Sequence, residues 1–222
     1  MTAIKHHEEK RTFAKMIPPL LIGTLGVFGV AALYALNLGF RRIEFTPLLI
    51  IACSLALGYS RGIVRGALTL VILYFSSTAA ALFYRGASPF MNSMLEIMSF
   101  NMDASVDDRA PPGSRAFTFA FLMVVVWIIL ELVSKAAFQT PNLPQLGILD
   151  KLGGVFIHLF VGILAASLLF NVAGFGPSRA RHNQAYLREP FNTVIYVLYS
   201  AQSFWFKSPP PIYMYDINAR LI

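Results

Sequence analysis

The sequence predicts an all-α, polytopic membrane protein with five transmembrane helices and a C-terminal segment at the membrane interface. Composition is the first observation in favour of this fold class. Of the 222 residues, 56% are hydrophobic and 13% are charged, about half of the roughly 25% that a soluble domain carries. The second observation is that the charges fall almost entirely between five apolar runs. A helix of about 20 apolar residues crosses a bilayer, so each run predicts one crossing.

The five apolar runs follow a polar N-terminal segment, residues 1–16. They predict helices, in chain order, over residues 17–38, 45–60, 67–84, 117–138 and 152–175. The first run has the basic start of a signal peptide, but it is too long and no clear small-residue cleavage site follows, so we expect it to be retained. The second run is short, and its ends are expected to reach the headgroup layer.

The C-terminal residues, 176–222, contain an aromatic-rich stretch at 191–206. Trp and Tyr favour the boundary between membrane and water, so this stretch predicts an amphipathic helix lying on the membrane surface. A sixth crossing is the weaker alternative, because the stretch is short and includes several polar side chains. Three aromatic residues here are candidates for contacts with partner proteins: Tyr196, Tyr199 and Trp205.

The distribution of basic residues predicts the orientation, because short cytoplasmic loops carry an excess of Lys and Arg. With five crossings and a cytoplasmic N-terminus, the cytoplasmic side holds Lys5, Lys10, Arg11, Lys15, Arg61, Arg65, Lys135 and Lys151. The other side then holds Arg41, Arg42, the acid-rich segment 85–115 and the C-terminal residues. The sequence therefore favours the N-terminus inside and the C-terminus outside, although three arginines of the tail count against this orientation.

Charge, cysteine content and motifs exclude several classes of function. The formal net charge is +7, but no basic stripe with interleaved aromatic residues is present, so nucleic acid is not an expected partner. The single cysteine, Cys53, cannot form an internal disulfide or a multi-cysteine metal site. Phosphate-binding, dinucleotide, zinc-protease and nucleophile-elbow motifs are missing. The sequence predicts no enzymatic activity, metal or cofactor, and it predicts the lipid bilayer and other membrane protein subunits as partners.

The connection between the second and third runs is the first candidate site. Gly58 and Gly62 permit a tight reversal of the chain. Arg61 and Arg65 are suited to binding lipid phosphates or to pairing with the carbonyls at a helix C-terminus. The alternative is a plain, positively charged cytoplasmic turn, which is at least as well supported.

The entry to the fifth run is the second candidate site. Asp150 precedes the predicted helix, where an aspartate is expected to cap the first turn of its own helix. A salt link from Asp150 to Arg61 or Arg65 is a further hypothesis that would join the two sites.

A stripe of small residues follows Asp150 in the fifth run. Gly154, His158 and Gly162 recur at every fourth position, so they share one helix face that favours close packing. His158 is the ionisable residue deepest in a run, which makes it a functional candidate. A neutral histidine that hydrogen-bonds between helices is the better-supported interpretation.

Two motifs resemble the colicin V production (CvpA) family. Residues 58–65, Gly-Tyr-Ser-Arg-Gly-Ile-Val-Arg, resemble the family's turn, and residues 147–154, Gly-Ile-Leu-Asp-Lys-Leu-Gly-Gly, resemble the entry to its last span. Ser134-Lys135 also looks like the family pattern. The family usually has an acid where this chain has Gly66, and an aspartate at about the place of Glu44. Its last span usually has glycines and a basic residue where this chain has His158 and Val161. The resemblance implies a four-span membrane domain over residues 44–175, preceded by an extra transmembrane helix at 17–40.

The resemblance also implies a location and a broad role. A CvpA-like protein is expected in the bacterial cytoplasmic (inner) membrane, linked to toxin production or export or to envelope homeostasis, without established catalytic chemistry. The alternative is an accessory subunit of a larger respiratory or photosynthetic complex, packed through its N-terminal helix and C-terminal tail. A channel or transporter is a third possibility, and the spans offer few polar residues for a path: His158, Asn171, Ser76 and Thr78.

Overall fold

The computed structural model describes residues 2–36, 42–98, 112–137, 147–175 and 183–205, with side chains except those of 2–16, 42, 95–98 and 112. Their regular secondary structure is entirely helical. The helices are α1 (Thr2–Ala35), α2 (Arg42–Met98), α3 (Pro112–Ala137), α4 (Gly147–Ala173) and α5 (Arg188–Gln202). Within these ranges, the predicted all-α fold class is confirmed.

Four of these helices are long and apolar enough to cross a membrane. The stretches are Ile17–Ala35, Ile43–Met94, Gly113–Ala137 and Gly147–Ala173. Many large apolar side chains in them face outward, including Phe28, which is 72% exposed, and Ile148, which is 74% exposed. Polar side chains such as Ser76 and Thr118 are fully buried. Apolar surface outside and small polar groups inside are the arrangement expected of helices in lipid.

The helices form two compact units. The first contains α1, α2 up to Leu70 and α4 up to Ile163. The second contains the rest of α2, α3, the rest of α4 and α5. Since α2 and α4 run through both, each contributes one segment to each unit.

In the first unit, α2 reverses direction at Gly62, whose backbone is not helical (φ 76°, ψ −179°). The residues of α2 before Gly62 pack antiparallel to α4, because Gly58 meets Gly154 while the earlier Ser54 meets the later Gly162. The residues after Gly62 run parallel to α4. Ile63 meets Gly153 and the later Gly66 meets the later Ile157. The single 57-residue element α2 is therefore a hairpin of two helices, which we call limb 1 (42–61) and limb 2 (63–98).

The helix boundaries differ from the predicted ones in two informative places. The predicted connection at 60–66 shrinks to one non-helical residue, Gly62, because both limbs stay helical up to it. Helix α4 begins at Gly147 instead of residue 152, so Asp150 lies in its first turn. Helix α1 also begins earlier than predicted, at Thr2 within the polar segment.

Helix α1 packs on limb 1 through small residues. A Cβ atom on Gly26 would lie 2.8 Å from the Cβ atom of Ala52, and one on Gly23 would lie 3.4 Å from the Cβ atom of Ala56. Val30, one turn further, is buried. Most other large apolar residues of α1 are exposed, including Leu25 and Phe28. The contact is therefore a narrow small-residue stripe, which allows the two backbones to approach closely.

This contact predicts a disulfide between cysteines placed at positions 23 and 56. A Cβ separation of 3.4 Å is close to the roughly 3.5–4.5 Å that disulfides require. In a Cys53→Ala background, we expect Gly23→Cys with Ala56→Cys to cross-link on mild oxidation, measured by gel mobility with and without reductant. Gly29→Cys with Ala56→Cys is the matched control, since a Cβ on Gly29 meets nothing within 4 Å. Equal cross-linking of both pairs would contradict the packing.

The second unit is built on an apolar core that includes α5. Helix α3 buries Ala116, Phe119, Ala120 and Met123, the spacing of one helix face. Phe170 of α4 is also buried, and its ring packs edge-on against Phe191 of α5, with the centroids 5.3 Å apart. The C-terminal helix is therefore part of this core through one of its faces.

Candidate functional site

The turn of α2 is held by a carboxylate from α4. After Gly62 a new helix begins, and its first N–H groups have no partner within their own helix. The N–H group of Ile63 donates to Oδ1 of Asp150, at 2.9 Å. The carboxylate occupies the space beside Gly62, where a Cβ atom would lie 2.8 Å from Oδ1. A negative charge also suits this end of a helix, where the macrodipole is positive. We call this arrangement the capped turn.

Glycines line the contact between limb 1 and α4. A Cβ atom on Gly58 would lie 2.5 Å from the carbonyl oxygen of Gly154, and one on Gly154 would overlap the backbone of Gly58 and Gly62. A Cβ atom on Gly162 would lie 2.8 Å from the Cβ atom of Ser54. Two backbones in direct contact leave no room for any side chain, so these glycines set the distance between the helices.

His158 is enclosed by the glycines of α2. It is 1% exposed, and its Nδ1 lies 3.1 Å from the carbonyl oxygen of Gly154. A Cβ atom on Gly58 would lie 2.7 Å from the Cβ atom of His158, and one on Gly66 would lie 2.9 Å from Nδ1. The imidazole therefore takes the space that a side chain at position 66 would use.

Basic residues surround the capped turn. Lys151 places its Nζ 5.1 Å from the ring centroid of Tyr59, within the range of a cation–π interaction. Arg65 is buried, at 8% exposure, whereas Arg61 is half-buried. In the described parts of the chain, no three His, Cys, Asp or Glu residues lie together as a metal site would need. The arrangement joins helices and carries positive charge.

The capped turn predicts a graded response to substitutions of Asp150. Asp150→Ala removes the acceptor of the Ile63 N–H group and is expected to lower the free energy of unfolding by about 1–2 kcal/mol. Asp150→Asn keeps an oxygen acceptor but loses the charge, so a smaller loss is expected. The measurement is unfolding in mixed micelles with increasing denaturing detergent. Lys151→Ala is the control, and an equal loss for Lys151→Ala and Asp150→Ala would contradict the cap.

The structure brings together four of the predicted site residues, Gly62, Asp150, Gly154 and His158. Gly162 lies further along α4, against Ser54. The expectation that Asp150 caps its own helix is wrong, because α4 begins three residues earlier and the carboxylate caps limb 2 instead. The candidates of the C-terminal segment lie elsewhere, in the second unit. There Tyr196 is exposed, Tyr199 is half-buried and Trp205 is exposed.

The structure also contains a second polar cluster, which was not predicted from the sequence. Nε2 of Gln202 donates to Oγ of Ser77 at 2.7 Å and to the carbonyl oxygen of Tyr74 at 3.2 Å. The hydroxyl of Tyr74 donates to the carbonyl oxygen of Ala201 at 2.9 Å. A signal was present in the sequence. The buried residues of α5 are Phe191, Asn192, Ile195, Leu198 and Gln202, so a glutamine follows apolar residues that recur at helical spacing. We call Tyr74, Ser77 and Gln202 the polar latch.

The long apolar helices, with polar groups inside and apolar groups outside, define a multi-pass helical membrane protein. The comparison with protein families identifies its family. The chain belongs to the Colicin V production protein family, whose pattern matches residues 43–195, and the resemblance inferred from the two motifs is confirmed. The match extends from the start of limb 1 into α5 and includes the capped turn. Neither the search of curated proteins nor that of solved structures found a match.

Proposed function

We propose that this chain is a non-enzymatic protein of the bacterial cytoplasmic membrane that serves toxin production or export, or envelope homeostasis. The observation that carries the proposal is the family match over residues 43–195. The capped turn supports it, because the two motifs that resemble the family are the two segments that Asp150 and Ile63 join. The polar groups of the capped turn fix α4 against α2, which suits a protein that acts through its shape and its contacts.

We further propose that the chain crosses the bilayer five times, with α2 supplying two crossings. The reversal at Gly62 supports this count, since limb 1 and limb 2 run in opposite directions along α4. The contact of Asp150 with Ile63 requires the turn and the start of α4 to lie at the same face. That face also carries Arg61, Arg65 and Lys151. The excess of basic residues favours the cytoplasmic side, with the N-terminus inside and the C-terminus outside.

Disruption of the gene in its host tests the proposed role. We expect the disrupted strain to release less of a peptide toxin into the medium, or to survive detergent stress on the envelope less well. The unchanged chain and a Gly86→Ala variant should restore the phenotype, because a Cβ on Gly86 meets nothing within 4 Å. A Gly154→Leu variant should not restore it. Wild-type toxin release together with wild-type stress survival in the disrupted strain would contradict the proposal.

The second candidate is an accessory subunit of a larger respiratory or photosynthetic complex. The observation that favours it is the exposed apolar surface of α1, which touches limb 1 through a narrow stripe. Purification of the native protein in mild detergent, followed by mass spectrometry, separates the two candidates. A constant set of energy-converting subunits would support the accessory role and contradict the free-standing one. A monomer or homo-oligomer would do the opposite.

A further inference from the structure

We infer that α5 is a re-entrant helix, which enters the bilayer at one face and ends near its middle, held there by the polar latch. The inference rests on the proposed crossing of the membrane by limb 2. It differs from the surface-lying helix that the aromatic content of residues 191–206 predicts.

The depth of the latch follows from the charges of limb 2. Arg65 and Arg85 flank an uncharged stretch, residues 66–84, which is about 28 Å of helix and matches a hydrocarbon core of about 30 Å. Tyr74 and Ser77 lie about 14 and 18 Å from Arg65 along the helix axis. Both residues are therefore near the midplane of the bilayer.

Helix α5 reaches that depth from a charged start. Arg188 and Glu189 open the helix, and charged side chains favour the headgroup layer over the hydrocarbon core. From Arg188 to Gln202 the helix axis covers about 21 Å, whereas half of the hydrocarbon core is about 15 Å thick. A helix tilted by about 45° would make this descent, so the length of α5 fits one half of the membrane.

The contacts at the end of α5 supply what a helix end inside lipid requires. The last carbonyl groups of a helix have no partner within it, and in lipid each unsatisfied group is costly. The Tyr74 hydroxyl donates to the carbonyl oxygen of Ala201 at 2.9 Å. The backbone N–H group of Trp205 donates to the carbonyl oxygen of Gln202, also at 2.9 Å. The amide of Gln202 is fully buried and donates to Ser77 and to Tyr74.

The indole of Trp205 completes the arrangement. Its Nε1–H donates to the hydroxyl oxygen of Tyr74 at 3.3 Å, so Tyr74 receives one hydrogen bond while it donates another. A helix lying in the headgroup layer would have water for all of these groups and would need no such set. The concentration of donors and acceptors on one turn of limb 2 therefore points to a helix end that is removed from water.

Spin-label depth measurements test the inference. Single cysteines are placed in a Cys53→Ala background at four exposed positions of one stripe: Thr193, Val197, Ser200 and Phe204. The labelled protein is reconstituted into vesicles of phosphatidylethanolamine and phosphatidylglycerol, and depth is read from collisions with oxygen and with a water-soluble nickel complex. We expect depth to increase steadily from position 193 to position 204, by about 12 Å in total. Equal depth at all four positions would overturn the inference.

Labels on limb 2 separate this inference from the proposed crossing. Val64, Phe75 and Leu82 are exposed and share one stripe. Phe75 should be deep and the other two shallow if limb 2 crosses the membrane. If they are equally shallow, the crossing itself is wrong. If the labels on limb 2 have the expected depths while the four labels of α5 lie at equal depth, only the inference of a re-entrant helix is wrong.

A substitution in the latch provides the second variant. Gln202→Leu removes both hydrogen bonds of the amide and introduces an apolar side chain of similar size. A label at Ser200 or Phe204 should then move toward the headgroups. Ser203→Ala is the control, because Ser203 is exposed and its hydroxyl donates to the carbonyl oxygen of Ser200 in its own turn. An unchanged label depth in Gln202→Leu would contradict the part assigned to the latch.

Discussion

Replacing Gly62 with alanine is expected to lower the free energy of unfolding by about 2–5 kcal/mol, a large effect for a single methyl group. The residue holds φ 76° and ψ −179°, a region of backbone space that is essentially restricted to glycine. Strain there costs about 1–3 kcal/mol. The added Cβ would also overlap the carboxylate of Asp150, and displacing the cap of Ile63 costs about 1–2 kcal/mol more.

Gly86→Ala is the matched control for this prediction. It lies in the same helix, and a Cβ there meets nothing within 4 Å. Since alanine favours helix more than glycine does, its expected effect is neutral or a stabilisation of up to about 1 kcal/mol. Unfolding in mixed micelles measures both variants. Similar curves for Gly62→Ala and Gly86→Ala would show that the turn does not require glycine.

A double-mutant cycle divides the cost of Gly62→Ala into its two parts. If the overlap with the carboxylate contributes, Gly62→Ala should cost less in an Asp150→Ala background than in the unchanged chain, because the obstacle is gone. The remaining cost then reports the backbone strain. Strict additivity of the two substitutions would show that the carboxylate and the Cβ do not compete for the same space.

Replacing Gly154 with alanine is expected to lower the free energy of unfolding by about 3 kcal/mol. The backbone atoms that the new Cβ would overlap cannot move aside as a side chain can. The Cβ would overlap the carbonyl oxygen of Gly58 and would lie 2.7 Å from the Cα atom of Gly62. Both are backbone atoms, so relief requires α4 to move away from α2, which loses packing along their whole contact. Overpacking of this kind typically costs 1–3 kcal/mol, and occasionally more.

Gly153→Ala is a stringent control, since Gly153 is the chain neighbour of Gly154 and the substitution is the same. The three atoms nearest to its Cβ would all belong to the Ile63 side chain, with Cγ1 and Cδ1 closest. That side chain can turn to another rotamer at about 1 kcal/mol or less. We therefore expect a small loss for Gly153→Ala and a large one for Gly154→Ala in the same unfolding assay. Equal losses would mean that the backbones of α2 and α4 are not in direct contact.

The sequence predicted the helices well and their contacts only in part. Apolar runs locate helices because each crossing needs its own stretch of apolar residues. The recurrence of Gly154, His158 and Gly162 at every fourth position indicated the packing face of α4. The partner of Asp150 was not predictable, since the spacing along one helix does not say which residue of another helix lies opposite. For the same reason, the contact between Gly66 and His158 and the hydrogen bonds of Gln202 could not be predicted.

The cap of Ile63 also has a consequence for the order of events during synthesis. Asp150 lies 87 residues after Ile63, so at a translation rate of about 5–20 residues per second it emerges about 4–17 s later. In the proposed topology, limb 1 and limb 2 enter the membrane before the carboxylate that holds their turn has been synthesised. In that interval the start of limb 2 depends on water and headgroups for its hydrogen bonds. A chain that stalls before residue 150 would then leave a hairpin without its cap in the bilayer.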